Sequence, residues 1–401
     1  TITIGTGKTL QVDRTVTTGY NSAANSTTRL TVSGAGTFKV GDVGAPTNQG
    51  FLVGNGGSSG ISNAATLDLS GLGTFYANLG SGTLRVGDAA NASGGGSSAN
   101  GSTLILAADT TIIAATITSD NPTSNAIQRI KLGNGTNVLN ANTITIGGAA
   151  NRASGTLDFN ASTGTVQVRA LDGVGRTAMN VQNGNAGTGA NLLGTVDFTG
   201  HSANLLLSTL AVGGRSAATT AAGTGIFSFD SGTLDATTVN IAARTGTTAT
   251  SGSVTGTVNL GGGTSTIGTV TMSTNNVALT ASNSTGDAIS TLNISGGTVS
   301  INALTMGVNT VAAAFASGSN TDATLNISGG ATTVNTTFTM GAQNSALDAG
   351  VTVNSALSAL NISAGSLTLA GSTNLTMGAT TLDAHNAATA NINITGTGIL
   401  T

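Results

Sequence analysis

Apolar and polar side chains alternate along residues 291–307, whose sequence is TLNISGGTVSINALTMG. Leu292 and Ile294 alternate with polar neighbours, and Val299 and Ile301 do the same after a Gly-Gly pair. A period of two, in segments rich in β-branched residues, is typical of half-buried β-strands. The glycines and asparagines between these segments permit sharp corners. The pattern therefore predicts a unit of three short strands joined by two corners.

The same pattern returns further along the chain. It is present at 324–341 (TLNISGGATTVNTTFTMG) and at 359–378 (ALNISAGSLTLAGSTNLTMG), and its opening returns at 391–397 (NINITGT). A spacing of roughly 32 to 35 residues indicates a repeat architecture. One unit cannot bury its apolar side alone, whereas stacked units can. The repeat therefore predicts an all-β fold, a parallel β-solenoid (β-helix).

Weaker copies of the opening strand extend this prediction to the whole chain. They lie at 1–5, 29–34, 66–71, 103–107, 129–133, 156–160, 195–200, 226–232 and 257–263. Together with the regular copies they indicate about twelve coils and a final partial one. We therefore expect a single continuous β-solenoid over 1–401, with irregular repeats over 1–256 and regular repeats over 257–401.

Aligning the repeats predicts columns of side chains inside the solenoid. The first column consists of Phe159, Phe198, Phe229, Leu260, Ile294, Ile327 and Ile362. The second consists of Ile146, Val212, Ile241, Met272, Met306, Met340 and Met377. A methionine stripe can hold a soft metal or an apolar partner, but methionine also fills gaps in ordinary cores. We interpret this stripe as core.

Composition favours strands and excludes several other classes of protein. The 401 residues include 60 Gly and only 2 Pro, and every acidic residue is an aspartate. Helix-favouring Glu and Lys are scarce, while strand-favouring Thr and Val are common. With 38% apolar residues and a net charge of −3, the chain lacks the composition of a disordered protein. The absence of cysteine excludes disulfides and thiolate metal sites.

Charge is distributed unevenly along the chain. All 12 basic residues lie between Lys8 and Arg244, and residues 245–401 carry only aspartates as charged groups. A nucleic-acid partner requires a basic surface, so no nucleic-acid partner is expected. No apolar run reaches the roughly 18 residues that a transmembrane helix needs, so no membrane-spanning segment is expected.

Both ends of the chain stop inside the repeat pattern. The sequence begins TITIGTGKTL, with no basic segment before the first strand, and it ends NINITGTGILT. No signal peptide is therefore recognised, and we expect the chain to be part of a longer protein. The matching end patterns also predict that the last coil of one copy can stack on the first coil of another, which would give head-to-tail filaments. Continuation of the same polypeptide is the alternative.

Variable segments follow the third strand of most coils. They include 87–102, 183–194, 213–225, 244–256, 308–323 and 342–358. Because they leave the coil at one point, they are predicted to stack as a single ridge. Such insertions often line the binding face of a solenoid, and solvated loops of small residues are the alternative.

Asp158 and Asp197 are the best candidates for catalysis. Each is third in its opening strand, so stacking would place the two carboxylates about 5 Å apart, near the separation in a retaining glycosidase. Arg169, on the next strand, could contact them. Most coils carry Asp or Asn at this outward position, however, and the chain has no Trp and only 2 Tyr as a platform for a sugar. An ordinary solvated position is the simpler interpretation.

Other motifs assign no site. The GTGKT sequence at 5–9 resembles the end of a P-loop, but the first glycine of that motif and a following helix are both missing. His201 and His385 are predicted to lie several coils apart, so they cannot share a metal. We therefore assign no catalytic, cofactor-binding or metal-binding residue and expect no cofactor.

Units such as TLNISGGTVSINALTMG resemble the autotransporter-associated β-strand repeats of bacterial surface and secreted proteins, most clearly over 257–401. The resemblance implies a right-handed parallel β-helix, export from the cell, and a role as a stalk, adhesin or fibre. It transfers no catalytic residue. We therefore expect a non-enzymatic, extracellular structural protein of a bacterial surface. The second hypothesis is an adhesin that binds a polysaccharide or host surface through the loop ridge. The third is a polysaccharide-degrading β-helix enzyme.

Overall fold

The computed structural model describes thirteen stretches of the chain, and the chain divides into two compact units. The described residues are 1–19, 27–54, 64–87, 101–120, 126–148, 154–184, 192–215, 222–246, 252–277, 286–310, 320–343, 354–380 and 386–401. The N-terminal unit comprises residues 1–180 and 192–208, and the C-terminal unit comprises residues 181–191 and 209–401. All regular secondary-structure elements of the described residues are β-strands. The predicted all-β class is therefore confirmed.

The strands range from 2 to 15 residues in length. The expected division of each coil into three short strands is wrong for most coils, because the second and third strands run on as one longer strand, for example over Thr298–Asn309. Their bounds are β1 Ile2–Thr3, β2 Thr9–Val12, β3 Val16–Thr18, β4 Thr27–Val40, β5 Phe51–Val53, β6 Ala64–Asp68, β7 Leu72–Val86, β8 Thr103–Ile105, β9 Asp109–Ser119, β10 Ile127–Leu132, β11 Thr136–Ile146, β12 Ser154–Phe159, β13 Thr165–Arg169, β14 Thr177–Asn183, β15 Leu192–Asp197, β16 Ser202–Arg215, β17 Gly223–Phe229, β18 Gly232–Gly246, β19 Val254–Leu260, β20 Thr264–Val277, β21 Ala288–Ile294, β22 Thr298–Asn309, β23 Thr321–Ile327, β24 Ala331–Gln343, β25 Asn354–Ile362, β26 Ser366–Leu369, β27 Asn374–Thr380, β28 Asn386–Ile394 and β29 Ile399–Leu400.

Strands of the N-terminal unit pair in parallel with strands one coil away. The opening strands pair in the order β4, β6, β8, β10, β12 and β15. A second ladder runs through β2, β4, β7, β9, β11, β13 and the start of β16. Parallel pairing of each strand with its counterpart in the next coil is the arrangement of a β-solenoid.

The C-terminal unit repeats this arrangement with greater regularity. Its opening strands pair in parallel in the order β17, β19, β21, β23, β25 and β28. The pairing aligns equivalent residues of the sequence repeat, for example Leu292 with Leu325 and Asn293 with Asn326. The sequence repeat is therefore also the structural repeat, and the predicted parallel β-solenoid is confirmed.

The number of turns is lower than expected, at about nine rather than twelve. The terminal coils are partial and do not count as complete turns. The strands β1 and β29 contain only two residues each. The coil that begins at β12 also differs from its neighbours, because its next side is divided into the separate strands β13 and β14.

The predicted apolar columns form the core. In the C-terminal unit Leu260, Ile294, Ile327 and Ile362 are paired in line, and each is at most 1% exposed. The methionine column is aligned in the same way from Ile241 to Met377. Met272, Met306 and Met340 are fully buried, whereas Met377 is 43% exposed in the last coil of methionines. The interpretation of this stripe as core is confirmed for the three buried members.

The phenylalanine column departs from its prediction at one position. Phe198 and Phe229 are buried in their respective units, but Phe159 is only half-buried. Phe159 ends β12 just before the corner of residues 160–164, which is wider than the corner of residues 295–297. Its ring stacks on His201 with 3.7 Å between centroids and meets Phe198 edge-on. Phe159 therefore belongs to the apolar column but is less buried than Phe198.

Glycine is required at the tight corners of the C-terminal unit. Gly297 has φ = 74°, in the left-handed region, where a side chain is disfavoured. A Cβ atom at this position would lie 2.4 Å from the carbonyl oxygen of Gly263 in the preceding coil. Stacked backbones therefore leave no room for a side chain at this corner.

Candidate functional site

Asp158 lies in a small charged cluster on the outer side of the N-terminal unit. Residues Lys131 on β10 and Asp158 on β12 are direct strand partners. Their side chains form an ion pair with 2.7 Å between Nζ and Oδ2, and they are 28% and 29% exposed. Strand pairing holds the two backbones together, so the ion pair is a fixed feature of adjacent coils.

Asp197 occupies the equivalent position on the next coil. The pairing of Leu157 with Val196 aligns β12 with β15 and places Asp197 beside Asp158, as the repeat predicted. Oδ1 of Asp197 accepts hydrogen bonds from the backbone N–H and the hydroxyl of Thr199, at 3.0 and 2.7 Å. These bonds hold one oxygen of Asp197 at the end of its strand.

The environment disfavours ionisation of Asp158. Burial is the largest influence and raises the pKa of Asp158, the hydrogen bond and charge of Lys131 lower it, and the charge of Asp197 raises it. The net effect is a raised pKa. Oδ1 of Asp158 is buried and accepts no hydrogen bond within the described part of the chain. One carboxyl oxygen is therefore paired with an ammonium group, and the other is shielded from water.

Arg169 does not belong to this cluster, so the predicted contact with Asp158 and Asp197 is wrong. Its guanidinium group donates to the backbone oxygen and to Oδ1 of Asn204, at 2.9 and 2.8 Å. Arg169 ends β13, which pairs with β16 on another side of the coil. The basic partner of Asp158 is Lys131 instead, and its position as third residue of its own opening strand, RIK, is the sequence signal that could have revealed it.

The remaining candidate motifs hold structural positions. In the GTGKT sequence, the N–H of Lys8 donates to the oxygen of Gly5 across a turn, and β2 follows directly. His201 is 9% exposed and packs on Phe159. His385 lies outside the described residues.

A cleft of about 250 Å³ lies in the C-terminal unit beside the points where the variable segments return to the opening strands. Asp287, Asn320 and Ser355 line one side, where Oδ1 of Asp287 accepts the N–H of Asn320 at 3.0 Å. Asp322 also lines the cleft, and burial followed by the charge of Asp287 raises the pKa of Asp322. Ile289 also lines the cleft and is 37% exposed. The cleft combines carboxylates with apolar surface.

A buried arginine lies near the same points. Arg244 is 1% exposed and donates to Oδ1 of Asn275 at 3.1 Å and to the backbone oxygen of Gly286. Burial and the charge of Arg215 lower the pKa of Arg244 to about 10, and Asp287 opposes this shift. The guanidinium thus connects β18 to β20 and to the backbone just before β21.

The outward position held by Asp158 in the N-terminal unit is an asparagine ladder in the C-terminal unit. Each Nδ2 donates to Oδ1 of the preceding rung, at 2.8 Å for Asn293 to Asn259, 2.9 Å for Asn326 to Asn293, 2.9 Å for Asn361 to Asn326 and 2.8 Å for Asn393 to Asn361. An amide can donate and accept at once, so the same contact repeats from coil to coil.

Most of the predicted loop ridge lies outside the described residues. The parts of the predicted ridge that are not described are 88–100, 185–191, 216–221, 247–251, 311–319 and 344–353. The predicted stacking of these segments as one binding face therefore stays a prediction.

The described residues contain no group of three or more His, Cys, Asp or Glu side chains that could hold a metal ion. Within the same residues, no helix has the length and apolar character needed to span a membrane. Comparison with known proteins gives no relative: no family model, no curated protein and no solved structure matches the chain significantly. The class that the fold defines is a parallel β-solenoid repeat protein.

Proposed function

We propose that this chain is a non-enzymatic structural β-solenoid that serves as a stalk, spacer or fibre subunit on the outside of a bacterial cell. The observation that carries the proposal is the repetition in the C-terminal unit. Asn293, Asn326 and Asn361 make the same contact in successive coils, with donor–acceptor distances of 2.8 to 2.9 Å. Identical stacked contacts suit a protein whose task is to extend a structure.

Export and a bacterial surface are proposed from the resemblance of residues 257–401 to autotransporter-associated repeats. Antibodies against this chain should label intact cells, and protease added to those cells should remove the signal. A signal that appears only after the cells are opened would contradict the extracellular role. Incubation with neutral and uronate polysaccharides should release no shorter products, and cleavage that is lost in Asp158→Asn would contradict the non-enzymatic role.

End-to-end stacking is the finer part of this proposal. The edge strand β28 pairs with β25, and Ile394 in β28 and Ile399 in β29 are 48% and 54% exposed. Apolar side chains beside open backbone groups can be covered by a further coil, and we propose the coil of a second copy as that cover. A head-to-tail contact of this kind can extend into a filament.

Imaging and sedimentation of the purified chain test the stacking. Rods longer than one molecule should form as concentration rises, and Ile394→Lys should prevent them by placing a charge in the apolar column. Asn391→Lys adds the same charge at an outward position and should leave assembly intact. A chain that remains monomeric at every concentration, or equal loss of assembly in both variants, would refute stacking through this face.

Binding of a ligand is a second candidate function, and the cleft lined by Asp287 and Asp322 favours it. Two carboxylates next to the exposed Ile289 suit a ligand that carries both an amine and apolar surface. A glycan and polyamine array should then detect binding that weakens in Asp322→Asn and persists in Asp235→Asn, which lies on β18 of the same unit. Binding that is equal in the two variants would exclude the cleft as the site.

A further inference from the structure

The pair formed by Lys131 and Asp158 has the geometry of two groups that can react with each other. Nζ and Oδ2 are 2.7 Å apart, although 27 residues separate the two positions in the chain. Direct pairing of the two residues in adjacent strands fixes their backbones. A nitrogen at hydrogen-bond distance from one carboxyl oxygen is about 3 to 3.5 Å from the carboxyl carbon, a separation from which the amine can attack once the side chains rotate to align the reacting orbitals.

The surroundings of this pair differ from those of a solvated surface ion pair. Oδ1 of Asp158 is buried and accepts no hydrogen bond from a described residue. A second carboxylate, Asp197, follows on the next coil. We propose that Lys131 and Asp158 join in an intramolecular isopeptide bond that ties two coils covalently, with Asp197 as the neighbouring acid that relays the proton.

The reaction is a condensation that needs no oxidant, metal or cofactor. The ammonium of Lys131 first passes a proton to the carboxylate of Asp158, which leaves a neutral amine and a carboxylic acid. The amine then attacks Cγ, so that a bond forms between Nζ and Cγ. A proton moves from Nζ through Asp197 to one oxygen of Asp158, the bond between Cγ and that oxygen breaks, and one water leaves. The product is an amide, and atoms and charge balance.

The environment favours the neutral intermediates of this reaction. The raised pKa of Asp158 arises first from burial and also from the charge of Asp197, so the carboxylic acid form is more accessible than in a solvated aspartate. Fixed positions in adjacent strands supply the high effective concentration that lets an intramolecular amide bond form.

The chain also contains a matched pair that should not react. Lys39 and Asp42 form the other lysine–aspartate ion pair of the described residues, three residues apart along the chain. The side chain of Asp42 is 47% exposed, and the hydrogen bond from Lys39 lowers the pKa of Asp42. An ionised, solvated carboxylate is a poor electrophile, so this pair serves as an internal control.

Mass spectrometry of the denatured protein tests the bond. The purified chain, incubated at mildly acidic and neutral pH, should be lighter than its sequence mass by one water. Trypsin should fail to cleave after Lys131, and peptide 130–152 should be joined to peptide 153–169. Lys131→Arg and Asp158→Ala should restore the full sequence mass, whereas Lys39→Arg should retain the loss of water.

Two results would overturn the proposal. The first is the full sequence mass in the incubated wild-type chain. The second is a loss of water that maps to peptide 170–176, because Asp172 precedes a glycine and can cyclise to a succinimide. The role of Asp197 has its own test: Asp197→Asn should slow formation of the bond at least tenfold, and an unchanged rate would exclude Asp197 as the relay.

Discussion

Ile327 offers the most direct test of the stacked core. It is 0% exposed and lies between Ile294 and Ile362, its partners in the two neighbouring coils. Replacing it with alanine removes three carbon groups, worth about 0.8 kcal/mol each in transfer free energy, and it leaves a cavity between two coils that cannot collapse freely. Measured isoleucine-to-alanine changes of this type cost about 2 to 5 kcal/mol. We expect a loss of about 3 to 4 kcal/mol in the free energy of unfolding.

The same column supplies a matched control. Ile394 pairs with Ile362 on one side but is 48% exposed. Only about half of its side chain is therefore removed from water on folding, so it contributes only about half of the full transfer free energy. Ile394→Ala should therefore cost only about 1 kcal/mol. Both substitutions delete the same atoms from the same kind of strand, so the difference between them isolates the contribution of the covering coil.

Urea denaturation followed by circular dichroism measures this difference. The slope of the unfolding free energy with urea must be equal in the two variants, because a changed slope would signal a change in cooperativity, which repeat proteins can show. Ile327→Ala should lower the midpoint about three times as much as Ile394→Ala. Ile327→Asp should be more damaging still, since it buries a charge, and Thr324→Ser on the outward side should be nearly silent. Equal shifts for Ile327→Ala and Ile394→Ala would refute the assigned burial.

Three further outcomes are expected. Gly297→Ala should lower the free energy of unfolding by about 1 to 3 kcal/mol, because the left-handed backbone disfavours a side chain and the added methyl meets a carbonyl group of the preceding coil. Gly371→Ala is the control: a Cβ atom there meets nothing within 4 Å, so the urea midpoint should stay unchanged. Asn326→Ala breaks two ladder hydrogen bonds and should lower the free energy of unfolding by about 1 to 3 kcal/mol, at about 0.5 to 1.5 kcal/mol for each bond. Asn393→Ala breaks one ladder hydrogen bond and should cost about half as much. Equal costs would contradict the ladder. Burial raises the pKa of Asp120, so the stabilisation that Asp120 contributes is fully present below its unfolded-state pKa and is lost as pH rises through its folded-state pKa. Asp120→Asn should flatten this loss of stability with pH in a series of melting curves. An unchanged dependence on pH would contradict the raised pKa.

The apolar columns could be predicted because two independent constraints coincide in the regular repeats. Alternation fixes which face of a strand is apolar, and the constant spacing fixes which residues stack. Ile327 satisfies both, and its pairing with Ile294 and Ile362 is the predicted one. Phe159 satisfies only the first, because the repeats of the N-terminal unit are irregularly spaced and its strand is followed by the wider corner of residues 160–164.

The charged cluster was only half predicted, for a related reason. Asp158 and Asp197 were found because each follows a copy of the opening strand, whereas Arg169 was placed beside them from nearness in sequence alone. Its side chain instead reaches Asn204 along β13 and β16. The signal for Lys131 was present in the third position of RIK, but a rule that asked for Asp or Asn at this position passed over it.

The two units use one outward position in chemically different ways. In the C-terminal unit it carries amides, each of which donates to one neighbour and accepts from the next, so the contact can repeat without a change of residue. In the N-terminal unit it carries Asp158 and Asp197, and stacked carboxylates repel each other. A cation is then needed to interrupt the repulsion, and Lys131 supplies it on only one side of Asp158. The asparagine ladder therefore favours extension by further coils. The position held by Lys131, Asp158 and Asp197 instead brings a cation and two carboxylates together, and this combination permits chemistry specific to that coil.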